Sequence, residues 1–275
     1  MKKYLIYIVV LSSYVLAQDD LKRQFDYADK LHSNSLFYEA ITEYKRLQFF
    51  DEGSTYSYQT NYRMGLCYKA GAKLDDAVKY FSLAEKFART DEESFDTKTQ
   101  VIRVNILRKT TGRALKLLDD LESDSSFTSK IDEINYWRGW AYMFADDWEN
   151  AALAFGKINP SHELKRKCEN VLNEKYSITF AKIISYILPG AGQFYMGNYF
   201  SGLLSLGWNV LCGFLTVDSI LDDRIFDGLT LGSLLWLRFY RGNIQNAEKF
   251  AIQKNFEIAN ETLRYLQNEY VGLKP

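Results

Sequence analysis

Small and aromatic side chains recur at a fixed interval through the first half of the chain. Ala28, Leu31, Ala40 and Tyr44 return 37 residues later as Gly65, Tyr68, Ala77 and Phe81, and a further 74 residues on, twice that interval, as Gly139, Tyr142, Ala151 and Phe155. The intermediate copy falls on Ile102, Asn105, Ala114 and Leu118, degenerate in its first half and acceptable in its second. The spacing predicts four helical hairpins starting near residues 21, 58, 95 and 132. Stacked hairpins bury a continuous core that one hairpin alone cannot form, so an all-α solenoid over residues 18–160 is expected.

Beyond Pro160 the character changes. Residues 161–177 are highly charged and read as a linker helix, with Lys165, Arg166, Lys167 and Lys175 placed to meet anionic head groups. Ile178 to Leu188 is apolar except for Lys182 and is expected to be a half-helix ending at Pro189. Tyr199 to Val217 carries no charge in nineteen residues, enough at about 1.5 Å per residue to nearly match a hydrocarbon core of roughly 30 Å. Small residues at Gly202, Ser205, Gly207 and Gly213 suit a close helix contact there, and Asn209 is expected to hydrogen-bond across helices. A second, weaker span is expected over Ile225 to Tyr240, bounded by Asp227 and Arg238. The expected membrane domain is thus 178–243, and the tail 244–275 an amphipathic helix. Its apolar seam, Ile252, Phe256, Ala259, Leu263, Leu266 and Tyr270, would fold back on the repeats or pair with a second copy.

The repeat skeleton resembles the tetratricopeptide repeat, most closely in N-Y-R-M-G-L-C-Y (Asn61 to Tyr68) and N-Y-W-R-G-W-A-Y (Asn135 to Tyr142). That resemblance implies antiparallel helix pairs in close approach and a groove lined by first helices. A protein partner would sit there, a peptide or helix, with Tyr62, Lys69, Arg103, Tyr136 and Trp140 as the binding residues. The same aromatic residues would otherwise pack within the array. Between the half-helix and the first span, Pro189, Gly190, Gly192, Gln193, Tyr195, Gly197 and Gly202 form the pattern P-G-x-G-Q-x-Y-x-G-(x)4-G. It is similar to the signature of the small bacterial two-transmembrane-helix family, which implies a membrane location and supplies no reaction. Pro and Gly interrupt the apolar run, so a turn is expected, buried against protein because free backbone groups cannot face lipid.

At the N-terminus, Lys2 and Lys3 precede an uncharged run from Tyr4 to Ala17, followed by Gln18, Asp19 and Asp20. This order is that of a secretory signal peptide over residues 1–17, which would place the repeats in the periplasm beside the cell membrane. The positive-inside rule opposes it: Lys and Arg flank the outer ends of the membrane half while the connector Asp218 to Asp227 is acidic, which puts the repeats in the cytoplasm.

Composition narrows the function. Two histidines and three cysteines without a C-x-x-C pattern leave few routes to metal or acid/base chemistry. Formal charge is −1 and no basic block favours nucleic acid. No nucleophile-base pair, phosphate loop or metal set is legible, and the acidic cluster Asp222, Asp223 and Asp227 lacks a second acidic motif. The expectation is a non-enzymatic scaffold without cofactor. Its partners would be a protein and membrane lipids. The alternative is a lipid-interacting or transport-associated component that the repeats recruit.

Overall fold

The structure is a computed structural model that describes residues 20–275. The expected signal peptide, residues 1–17, lies outside the described residues. Two compact units are present, the first ending at Arg166 and the second running from Lys167 to Lys274. Among the described residues every regular element is helical, in agreement with the all-α expectation.

The first unit is a run of helix pairs. Helix α1, described over residues 20–33, precedes α2 (Phe37–Phe50), then α3 (Ser57–Ala70), α4 (Leu74–Glu85), α5 (Asp91–Leu107), α6 (Thr111–Ser123), α7 (Ile131–Phe144) and α8 (Trp148–Ile158). Each α2 to α8 helix packs on its neighbour in sequence. The 37-residue interval reappears in the backbone of the turns. Ser35, Ala72, Lys109 and Asp146 all have positive φ, between 56° and 62°. After each of these residues the next amide donates to a carbonyl five residues back: Leu36 to Leu31, Lys73 to Tyr68, Thr110 to Asn105 and Asp147 to Tyr142. This closure satisfies carbonyls that a helix end leaves without partners. The degenerate third copy therefore folds as a hairpin, because the turn geometry survives where the small residue has been lost.

Packing inside the pairs follows the small residues. A Cβ added to Gly139 would lie 2.5 Å from the Phe155 ring, as one on Gly65 would lie 2.6 Å from that of Phe81. The first hairpin achieves the same with Ala28 and Tyr44, both fully buried, and the Tyr44 hydroxyl donates to Asp29 at 2.7 Å. Arg63 of α3 reaches the same carboxylate at 2.9 Å, tying successive first helices together.

Helix α9 (Glu163–Glu174) follows, with Leu164, Cys168 and Val171 buried along one stripe. In the second unit come α10 (Ile178–Ile187), the short α11 (Ala191–Tyr195), α12 (Tyr199–Leu221), α13 (Ile225–Thr230) and α14 (Leu237–Asn268). Among the described residues α12 is the one helix long and apolar enough to cross a membrane, with 22% of its apolar window buried. Leu203, Val210, Phe214 and Val217 on α12 and Phe226, Leu229 and Leu234 beyond it are exposed. So large a continuous apolar surface requires a cover.

Several expectations for this half are corrected. The second apolar segment is the start of one continuous helix, α13 passing through a π-helical stretch, Leu231–Trp236, into α14 without a break near residue 243. Gly213, Gly228 and Gly232 bring α12 close to this segment, since an added Cβ would meet Trp236, Ile220 and Thr216 respectively. Gly207 has nothing within 4 Å and takes no part. Asn209 donates within its own helix, to the Ser205 carbonyl at 2.7 Å, and not across helices. The tail buries Ile244, Ala247, Ala251, Ala259 and Leu266, whereas Ile252 and Phe256 are exposed. Alanine wins the contact face because α14 lies along α10, and small side chains permit the closer approach.

Candidate functional site

Side chains from α3, α5 and α7 converge on the first-helix layer of the repeat unit. Tyr62 and Lys69 sit seven residues apart, two turns of α3, so both point to α5. There Gln100 bridges them, its amide carbonyl accepting from Lys69 Nζ at 3.3 Å and its nitrogen donating to the Tyr62 hydroxyl at 3.5 Å. One turn on, the Arg103 guanidinium lies over the Trp137 ring of α7, 4.6 Å from its centroid, a cation–π arrangement. Burial and the neighbouring Arg103 charge bring the Lys69 ammonium down to about 7. Burial also pulls Arg103 below its usual value, opposed by Tyr62 and Glu133. Two cations thus share a partly desolvated place, which favours an incoming carboxylate.

The sequence-predicted residues divide here. Tyr62, Lys69 and Arg103 belong to this cluster. Tyr136 is half-buried and packs edge-on to Trp137, Phe155 and His162, and Trp140 is only 3% exposed. Both serve the fourth hairpin's core, so the accessible surface is narrower than the expected groove. Gln100 and Trp137 were missed, because Gln100 belongs to the degenerate repeat and Trp137 lies one position from Tyr136 on what reads as the core side.

The glycine-rich turn of the second unit is a buried polar knot. Gly190 has φ +92°, and a Cβ there would lie 2.3 Å from the Gly202 carbonyl oxygen, so only glycine lets the two backbones meet. Its amide donates to Asn243 Oδ1 at 2.8 Å. The Gly192 amide donates to Ser185 Oγ at 2.9 Å. Gln193, fully buried, donates to the Asn243 carbonyl at 3.1 Å and to Asn243 Oδ1 at 3.2 Å. Asn243 in turn donates to the Ser185 carbonyl at 2.9 Å. Gly202 receives the Phe194 ring, Gly197 has φ +76°, and Tyr195 packs edge-on to Tyr176 and Phe180. Pro189 ends α10 just before the turn. The pattern thus joins α10, α11, α12 and α14 while satisfying backbone groups away from water. Ser185 and Asn243 carry as much of it as the glycines, and a polar pair on otherwise apolar helices was the signal available.

Among the described residues no three His, Cys, Asp or Glu side chains are grouped to hold a metal ion. Arg224 pairs with Asp222 at 3.2 Å and approaches Asp218 at 3.8 Å, which occupies part of the acidic connector. Compared with protein-family models, with curated proteins and with solved structures, the chain matches none.

Proposed function

We propose that this chain is a membrane-bound, non-enzymatic scaffold whose tetratricopeptide-type array holds a protein partner at the Lys69–Arg103 surface. The observation that carries the reading is the pairing of two partly buried cations beside Tyr62 and the amide of Gln100. A peptide segment bearing a carboxylate relieves their mutual repulsion and adds charge-assisted hydrogen bonds. The turn residues of the second unit lock helices together and offer no reacting group, which is what an anchor requires. The signal-like residues 1–17 support an extracytoplasmic position for the repeats.

Binding is tested with the full chain in detergent micelles, using fluorescent peptides with a free C-terminal carboxylate and their amidated twins. The free form should bind at least about tenfold more tightly, the worth of one good charge-assisted contact. In K69E/R103E, with helicity unchanged, that preference should vanish. Equal affinity of the two peptide forms for the native chain removes the surface from the proposal. Sidedness is read separately, by protease digestion of the repeats in intact spheroplasts; protection until lysis overturns the extracytoplasmic placement.

A further inference from the structure

Between α12 and the start of α14 lies an open cavity of about 630 Å³ within the second unit. Its lining includes Arg238, Arg241, Ser205, Asn209, Asn246 and Trp208, and no carboxylate. Among the described residues neither arginine forms an ion pair. Both arise from the stretch flanked by exposed Leu234, Leu235 and Leu237, where an uncompensated charge beside lipid is costly. Asn209 adds an independent requirement. It is 5% exposed, its nitrogen is used on the Ser205 carbonyl, and its Oδ1 has no hydrogen-bond partner. A buried acceptor left so costs free energy that an incoming donor recovers. Trp208 and Phe239 stack over one side, centroids 5.2 Å apart and planes 8° from parallel. The α12 lining runs from Ser201 to Asn209, the first half of a 23-residue helix. The cavity thus extends from near the helix start, where aromatic side chains border head groups, to Asn209 about 15 Å along it by helical rise, near its middle.

We propose that this cavity is a binding site for a phosphate ester that carries a hydroxyl group, the chemistry of a phosphoglycerol head group. The two guanidinium groups take the phosphate oxygens, for which their planar forks are matched. The hydroxyl donates to Asn209 Oδ1. The inference rests on the membrane position of the second unit and is independent of partner binding by the repeats.

The test uses the native full chain in mixed micelles of phosphatidylglycerol and phosphatidylcholine, with retained lipid counted by native mass spectrometry. Phosphatidylglycerol should be retained over phosphatidylcholine by at least about tenfold, since only the former offers hydroxyl donors and a net negative charge. R238Q/R241Q should bring the two lipids to near parity, and N209L should erase any preference for phosphatidylglycerol over phosphatidic acid. Glycerol 3-phosphate distinguishes the sources: displacement of the lipid assigns the site to soluble phosphate esters, and failure to displace assigns it to the membrane lipid. Equal retention of phosphatidylglycerol and phosphatidylcholine by the native chain overturns the proposal without recourse to any variant. So does R238Q/R241Q retaining lipid as the native chain does.

Discussion

Gly65 and Phe81 interlock across the second hairpin, the ring of one filling the space where the other would carry a Cβ, 2.6 Å from the nearest ring atom. Gly65→Ala therefore forces a fully buried phenyl ring to move. Overpacking of this kind costs about 1–3 kcal/mol, offset by about 1 kcal/mol of improved helix propensity. The expected result is a net loss of up to about 2 kcal/mol in urea unfolding of the full chain. Shortening the ring in Gly65→Ala/Phe81→Leu should restore part of it, and a stabilised single variant would show that the contact is not tight.

Lys109 occupies the left-handed turn position of the third hairpin, φ 59°. Glycine pays no Cβ penalty there, which is worth roughly 1 kcal/mol per residue, though it also frees the unfolded chain. Lys109→Gly should raise the melting temperature slightly, by a few degrees at most, whereas Lys109→Val should lower it. A lower melting temperature for the glycine variant alone would contradict the turn geometry.

The Lys69 ammonium titrates near 7 in the fold against a usual 10.5. Below pH 7 both folded and unfolded chains carry the proton and its burial cost is present in full. Between 7 and 10.5 the unfolded chain binds more protons, so this residue's contribution to stability improves as pH rises. Buried Cys67 and Cys168, pushed up to about 12 from 9.0, act in the opposite sense above pH 9. The clean window is pH 7 to 9. There the stability of the native chain should rise toward that of Lys69→Met, and a constant difference between the two would refute the assignment.

Asn243 Oδ1 accepts from both Gly190 and Gln193 while its nitrogen serves Ser185. Asn243→Leu keeps the volume and strands these groups in a buried place. Each buried unpaired group costs about 1–3 kcal/mol, so the second unit should loosen before the first. Limited proteolysis should cut near the Pro189 to Asn198 turn in the variant and spare it in the native chain.

What was legible along the chain was whatever repeats or persists locally. Period, hairpin number and the apolar helix at Tyr199 follow from side-chain spacing, since helix geometry converts spacing into a face without reference to distant residues. Even the degenerate repeat kept its turn at Lys109. Less legible was which candidate residues share a site. Tyr136 has the residue type and register of Tyr62 and Trp140 the register of Leu66, but the fourth hairpin closes over them while α3 and α5 leave Lys69 and Arg103 partly accessible.

The sequence by itself determined an all-helical repeat unit, an apolar second half and a glycine-rich interruption between them, because each depends on composition within a few turns. Only the tertiary structure decided that Asn243, 53 residues away, holds that interruption closed, and that Arg238 and Arg241 share one cavity with Asn209. It likewise decided that alanines rather than Ile252 and Phe256 form the tail's contact face. Hydrogen-bond partners and helix contacts are chosen by distance in space, and a periodicity carries no record of which face another segment will approach.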